Sequence, residues 1–171
     1  MSCSNLINGI LGACNDSQGG IEAFFIANGP VSSIVEANGV VTSINVGGSP
    51  LTANDFFKFE VPRQTGSLTE TTTPSQENGT VTYEQSVTMV FNKLEAAKRN
   101  AFLLMAEATS MVVVAKDNNG KYWSIGLERG AYMTTGTATS GVAYGDRNGY
   151  EITLSGMEKA PIYEVTGSIV E

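Results

Sequence analysis

The sequence predicts a mainly β protein of the α+β kind, an antiparallel barrel or sandwich carrying a single amphipathic helix over about residues 92–108. Three observations predict it. Thr80 to Phe91 alternates, with Val81, Tyr83, Val87, Met89 and Phe91 facing one way and Thr82, Glu84, Ser86 and Thr88 the other, the period-2 mark of a half-buried strand. The period then changes: Leu94, Ala97, Ala101, Leu104, Met105 and Ala108 fall on one helical stripe. Finally, many of the nineteen glycines stand in Asn-Gly or Gly-Gly pairs, which suits strands joined by tight turns.

Taken in order, residues 1–20 are small and polar and read as an N-terminal arm ahead of one domain over 21–171. Ile21 to Ala27 is a strand closed by Asn28-Gly29-Pro30. Val31 to Val35 and Val40 to Val46 flank Glu36-Ala37-Asn38-Gly39, a hairpin signal. Phe56 to Val61 is a further strand, with Phe57, Phe59 and Val61 on one face. Residues 62–79 hold one large apolar residue, Leu68, and cannot form much core. They read as a long polar loop inserted in the domain, of the kind that is functional when it interrupts a compact fold. The sharper expectation is an arm that orders against a neighbouring subunit through Arg63, Leu68, Glu70 and Glu77.

In the helix, Asn92 has the chemistry of an N-cap, and Glu95 stands where a capping box puts its carboxylate. Leu103 lies opposite the apolar stripe and Phe102 well to one side. Burying each contributes about 1.5–3 kcal/mol, so the pair is expected to be covered by another subunit or by the 62–79 arm. After the helix, Met111 to Lys116 and Lys121 to Leu127 flank the turn Asp117-Asn118-Asn119-Gly120, with Trp123 expected to anchor the core. Ala131 to Gly136 is a weaker strand and 137–148 a loop of small residues. Tyr150 to Leu154 and Ile162 to Val170 close the chain, making eight to ten strands in all.

Composition narrows the function. Charged residues make up 16% of the chain, against about 25% in an ordinary soluble protein, which leaves neutral surface for partners. The net charge is −7, and basic residues are scattered except for Lys93, Lys98 and Arg99, so no stripe grips phosphates. An acidic surface still suits a channel through which nucleic acid slides without sticking. The chain has no histidine, which removes the usual general base and the commonest zinc ligand. Among thirteen glutamates, Glu84, Glu128, Glu151, Glu158 and Glu164 lie in or beside strands, but nothing ties two of them into an acid pair. Asp117-Asn118-Asn119-Gly120 and Asp146-Arg147-Asn148-Gly149 are too short for calcium loops and read as turns. No cofactor, metal site or catalytic residue is expected.

Cys3 and Cys14 read as free thiols, although a bridge between them is open. Leu11-Gly12-Ala13-Cys14 has the form of a lipoprotein cleavage box. Residues 1–10 lack Lys and Arg, however, and Asn5 and Asn8 break the apolar run, so lipidation is not expected. Asn15-Asp16-Ser17 and Asn78-Gly79-Thr80 fit the glycosylation pattern, which carries meaning only with secretion. No apolar run reaches membrane-spanning length.

Three stretches carry a resemblance to a known group. They are Cys14-Asn15-Asp16-Ser17-Gln18-Gly19-Gly20-Ile21 running into a strand, the strand–helix–strand unit from Thr80 to Lys116, and the closing run Gly145 to Glu158 followed by Ala160-Pro161. Together they resemble virion structural proteins of tailed bacteriophages, in the tail-tube and neck-ring (connector) group, over about two-thirds of the chain. The resemblance implies a non-enzymatic subunit located in the virion, homo-oligomeric in rings of six or more, joined by sheets between neighbours. It further implies a long loop touching the next ring, contacts with other virion proteins, a conduit for the genome with an acidic lumen, and no membrane. A rival reading is a β-sandwich binding module for carbohydrate or a cell surface, with Tyr122, Tyr132, Tyr144 and Tyr150 gathered on one face. An enzyme using acidic residues is the least supported.

Overall fold

The computed structural model describes residues 17–171. The chain passes through β1 (Ile21–Asn28), β2 (Val31–Ala37), β3 (Val40–Val46), β4 (Ser49–Pro50), β5 (Phe57–Glu60), β6 (Ser67–Ser75) and β7 (Thr80–Asn92). The helix α1 (Ala96–Glu107) follows, then β8 (Met111–Asp117), β9 (Tyr122–Ile125), β10 (Tyr132–Thr139), β11 (Gly149–Glu158) and β12 (Glu164–Val165). Two sheets result. The larger has the order β2-β3-β12-β9-β8-β1-β5 with β4 beside β3, and the smaller has the order β10-β11-β7-β6. The expected class is therefore what forms, mainly β with a single helix, as a sandwich with open edges rather than a closed barrel.

Burial explains which runs alternate. Phe24 and Ile26 of β1, with Val113, Ala115 and Ile125, face Val87, Met89 and Phe91 of β7 and Ile152 and Leu154 of β11. The other face of the same strands presents Phe25, Val112 and Val114 to Val41, Ile44, Phe56, Ile169 and Val170. Because β3 supplies Val41 and Ile44 to this second cluster, the larger sheet curls over its own outer face. Strands β1 and β8 are thus buried on both sides, and their apolar runs are continuous. In the smaller sheet only one face meets the core, so β7 alternates as expected.

The Asn38-Gly39 hairpin forms as expected, with φ of 55° and 82° at its two central residues, the positive pair of a type I′ turn. At the other hairpin, Asp117 Oδ1 accepts the amides of Asn119 at 2.9 Å and Lys121 at 2.8 Å. Residues 17–20 lie against that turn: Gln18 N donates to Asn119 Oδ1 at 2.7 Å and Asn118 Nδ2 to the Gly19 carbonyl at 2.7 Å. The rest of the expected N-terminal arm, with Cys3 and Cys14, lies outside the described residues.

Several expectations are corrected. Residues 62–79 are not one long loop: Ser67–Ser75 is a strand paired with β7 from Ser67↔Thr88 to Ser75↔Thr80. Threonine is β-branched and favours this conformation even where neither face is covered. The helix begins at Ala96, not Asn92, because β7 keeps pairing to Asn92↔Gly149 and the chain must turn before it can coil. Glu95 is the N-cap but makes no side-chain cap; its carboxylate pairs with Lys93 at 2.6 Å and Lys98 at 3.3 Å. Trp123 is half-buried and donates its indole N–H to Asp117 Oδ2 at 3.1 Å, while Ile125 enters the core. Of the expected closing strand, only Glu164–Val165 pairs; Gly167–Ile169 is a 3-10 turn that seats Ile169 and Val170 in the second cluster.

Candidate functional site

The helix buries a face rotated from its aliphatic stripe, keeping Met105 and, in part, Ala101 and Ala108 of it. Phe102, 7% exposed, and Met105 point into the core, while Leu104 is 68% exposed and Leu103 46%. The Phe102 ring lies 4.8 Å from that of Tyr150, edge-on, and 5.2 Å from that of Phe91. An aromatic ring removes more surface from water than a leucine and gains from such pairs, so the helix turns to seat Phe102. Its burial is satisfied within the chain and needs no second subunit.

The remaining expected contact residues scatter. Leu68 is half-buried and packs against the core. Glu70 Oε2 accepts the amide of Ile162 at 2.6 Å and Gln85 Nε2 at 3.2 Å, so it ties the chain after β11 to the hairpin. Arg63 lies exposed ahead of β6 and Glu77 at the hairpin tip. Leu103, Arg63 and Glu77 are surface residues, and the fold does not bring them together.

Gln85 and Glu158 are buried polar groups that pattern reading missed. Glu158 accepts the amides of Glu128 at 3.2 Å and Arg129 at 3.1 Å, one on each oxygen. Burial pushes its carboxyl up from the usual carboxylate range, against the lowering effect of those two amides. A raised carboxyl is also what an acid catalyst needs, but the adjoining cavity measures about 10 Å³, near the minimum for one water. Both oxygens are engaged, and Glu158 clamps the turn between β9 and β10. Among the described residues no three metal-ligating side chains gather, and no helix is long and apolar enough to cross a membrane.

The outward face of the smaller sheet is rich in hydroxyls. The register aligns Thr69 and Thr71 of β6 with Ser86 and Glu84 of β7, then Thr88 with Thr153 of β11 and Thr135 of β10. Thr88 and Thr153 share a hydrogen bond at 3.3 Å, and Thr134 Oγ1 donates to the Thr153 carbonyl at 3.1 Å. The charges on this face are Glu84 and Glu151, the latter held by Arg147 of the neighbouring loop at 2.7 Å. Hydroxyls and carboxylates occupy most of it, with Met157 opposite Glu84 and Tyr132 opposite Ser155 also exposed, and none of its β-strand positions carries lysine or arginine.

Both edges of this sheet are free of a further strand among the described residues. Edge strands are normally guarded by charge or proline. β6 has Glu70 and Pro74, but β10, Tyr-Met-Thr-Thr-Gly-Thr-Ala-Thr, has neither over eight residues. The four tyrosines of the binding-module reading do not cluster. Tyr122 donates its hydroxyl to Glu171 at 2.6 Å and Tyr150 packs on Phe102, leaving Tyr132 and Tyr144 exposed on separate elements.

No protein-family model and no curated protein matches the chain. Among solved structures, a chain from the virion of a native gene transfer agent (GTA) particle is similar over 68% of this chain and 93% of its own, at 12% identity and a TM-score of 0.40.

Proposed function

We propose that this chain is a non-enzymatic structural subunit of a tailed-phage-like virion, which joins copies of itself into a ring or tube through the edges of its four-stranded sheet. The observation that carries the reading is the unguarded edge of β10, set opposite the β6 edge of the same sheet. An edge of one kind meeting an edge of another kind is a head-to-tail contact, which closes into a ring when the rotation per subunit permits. The four-stranded sheet then continues from copy to copy, and neither edge remains open to aggregation.

The hydroxyl and carboxylate face supports a bore. A surface whose strand positions carry Glu84 and Glu151 and no lysine or arginine, and whose neighbouring Arg147 is already paired with Glu151, offers a polyanion little counterion release. Nucleic acid then passes without being held. Electron microscopy of the concentrated protein is expected to show rings or short tubes, and native mass a discrete multiple of 18.0 kDa. Protein that stays monomeric at all concentrations, with and without other virion proteins, refutes the proposal.

A further inference from the structure

Asparagine precedes glycine at five places among the described residues: Asn28-Gly29, Asn38-Gly39, Asn78-Gly79, Asn119-Gly120 and Asn148-Gly149. Glycine has no side chain to shield its peptide nitrogen, and that nitrogen can attack the side-chain amide of the asparagine before it. By sequence the five pairs are alike. The fold makes them unequal.

In four of them the attacking nitrogen or its target is held. Gly29 N donates to the Ser110 carbonyl at 3.1 Å, and Gly120 N to the Asp117 carbonyl at 3.1 Å. Gly39 N donates to Glu36 Oε1 at 2.7 Å. The Asn119 amide is pinned as well, since its Oδ1 accepts Gln18 N at 2.7 Å and its Nδ2 donates to the Gln18 carbonyl at 2.8 Å. At the remaining pair Asn148 Oδ1 accepts the Leu94 amide at 3.0 Å, and Gly149 is buried in β11 between β7 and β10. A nitrogen that is donating must lose its acceptor before it can lose its proton, and residues in a ladder must open locally before they can cyclise.

Asn78-Gly79 has none of these restraints. It lies in the turn that joins β6 to β7, both residues are exposed, and a Cβ at Gly79 would meet nothing within 4 Å. Asn78 N donates to Ser75 Oγ at 3.4 Å, but among the described residues no hydrogen bond holds the Gly79 N–H or the Asn78 side-chain amide. Strand β11 pairs with β7 only as far as Tyr83↔Glu158, so the turn caps a two-stranded ribbon beyond the wider sheet. Such a ribbon opens at low cost.

We infer that Asn78 is a self-modification site, which deamidates in the folded protein while the other four pairs persist. A solvent base takes the Gly79 amide proton and the nitrogen bonds to Asn78 Cγ. The Cγ–Nδ2 bond breaks, and Nδ2 leaves as ammonia with a proton returned by the solvent. The resulting five-membered succinimide takes up one water. Opening at the new Cγ–N bond gives an aspartyl residue at position 78; opening at the original peptide bond gives an isoaspartyl residue, whose backbone runs through Cβ and Cγ. No oxidant, reductant or cofactor enters. The product is one new carboxylate beside Glu77, at a turn remote from the core, where a lengthened backbone is tolerated. The hairpin tip thus gains negative charge with age, independently of whether the chain assembles as proposed above.

The test ages the purified full-length protein at mildly alkaline pH and follows each pair by peptide mapping after digestion in acid, reading the mass change from amide to acid. Methyl transfer by a protein isoaspartyl methyltransferase gives a second readout of the isoaspartyl product. Asn78 is expected to convert several-fold faster than Asn28, Asn38, Asn119 or Asn148, and the five are expected to approach one rate in urea. Glu36→Ala removes one restraint at an exposed hairpin, with the fold checked by far-UV circular dichroism. It is expected to raise conversion at Asn38 several-fold and leave Asn78 unchanged. Any of the four keeping pace with Asn78 in the folded protein overturns the inference. So does the same ranking persisting in urea, or Glu36→Ala without effect at Asn38.

Discussion

Replacing Phe102 by alanine separates an intramolecular role from an intermolecular one. The ring is 7% exposed and lies between those of Phe91 and Tyr150. Truncating a buried phenylalanine costs about 3–5 kcal/mol, because the transfer free energy is lost and the cavity collapses only in part. Loss of the two ring pairs belongs inside that range, since the effects are not additive. Against a total stability of about 5–15 kcal/mol this is a large fraction. For a chain of 171 residues, where ~1 kcal/mol corresponds to about 2–4 °C, the melting temperature is expected to fall by about 6–20 °C. Urea and thermal unfolding of Phe102→Ala, followed by circular dichroism at low protein concentration, give the value. Leu103→Ser, one residue away and exposed, is expected to shift stability by less than about 0.5 kcal/mol. A Phe102→Ala protein that loses under about 1 kcal/mol, with its assembly altered instead, would refute the reasoning.

Further outcomes follow from other sites. Burial raises the Glu158 carboxyl in the folded protein. Its contribution to stability is therefore most favourable below the unfolded value of 4.5, falls as pH rises from there through the raised folded value, and is level above it. The stability difference between wild type and Glu158→Gln, measured by urea unfolding across that window, should shift toward the variant as pH rises. Superimposed is a constant loss of about 1–3 kcal/mol, because the amide turns a donor toward a backbone donor. A difference independent of pH would count against the raised carboxyl. Gly149→Ala would place a Cβ 2.0 Å from the Phe91 carbonyl oxygen. It should lower stability by more than about 3 kcal/mol, and a variant that melts like wild type would contradict the β7–β11 register. Ala138→Lys, exposed on the β10 edge, is expected to abolish rings in electron micrographs while changing monomer stability by less than about 0.5 kcal/mol.

What the sequence made legible was local. Asn38-Gly39 and Asn119-Gly120 carry their turn chemistry in adjacent residues, and both hairpins form where those pairs stand. Strand β7 announced itself because one of its faces meets the core. Strand β6 did not, since much of its length is uncovered on both faces and no apolar alternation can arise; the β-branched run Thr71-Thr72-Thr73 was the available signal. The helix face was legible only in part: Met105 is buried as its stripe position implies, but counting apolar positions gives Leu104 the same weight as Phe102, whereas ring partners from β7 and β11 decide the rotation. The bond from the Ile162 amide to Glu70 was hidden because the two residues lie 92 apart in the chain. The Glu158 clamp was hidden for the same reason, its amides being 29 and 30 residues back. Leu103 was correctly expected off the core, but the exposure of Phe57 and Val81 follows from where neighbouring strands end.

One consequence lies in the continuity of β7. From the free ribbon to the strand–helix turn it is a single span without a bulge, laced to β6 on one side and β11 on the other. A pull on the tip draws on β6 and β7 together, and the β7–β11 ladder, in unbroken register from Tyr83 to Asn92, takes the load in shear. One residue short of the far end of the span, Phe91 is in touch with the Phe102 ring. Tension taken up at the hairpin tip is thus delivered along covalent backbone to a ring that packs on the middle of the helix, as through a tie-rod.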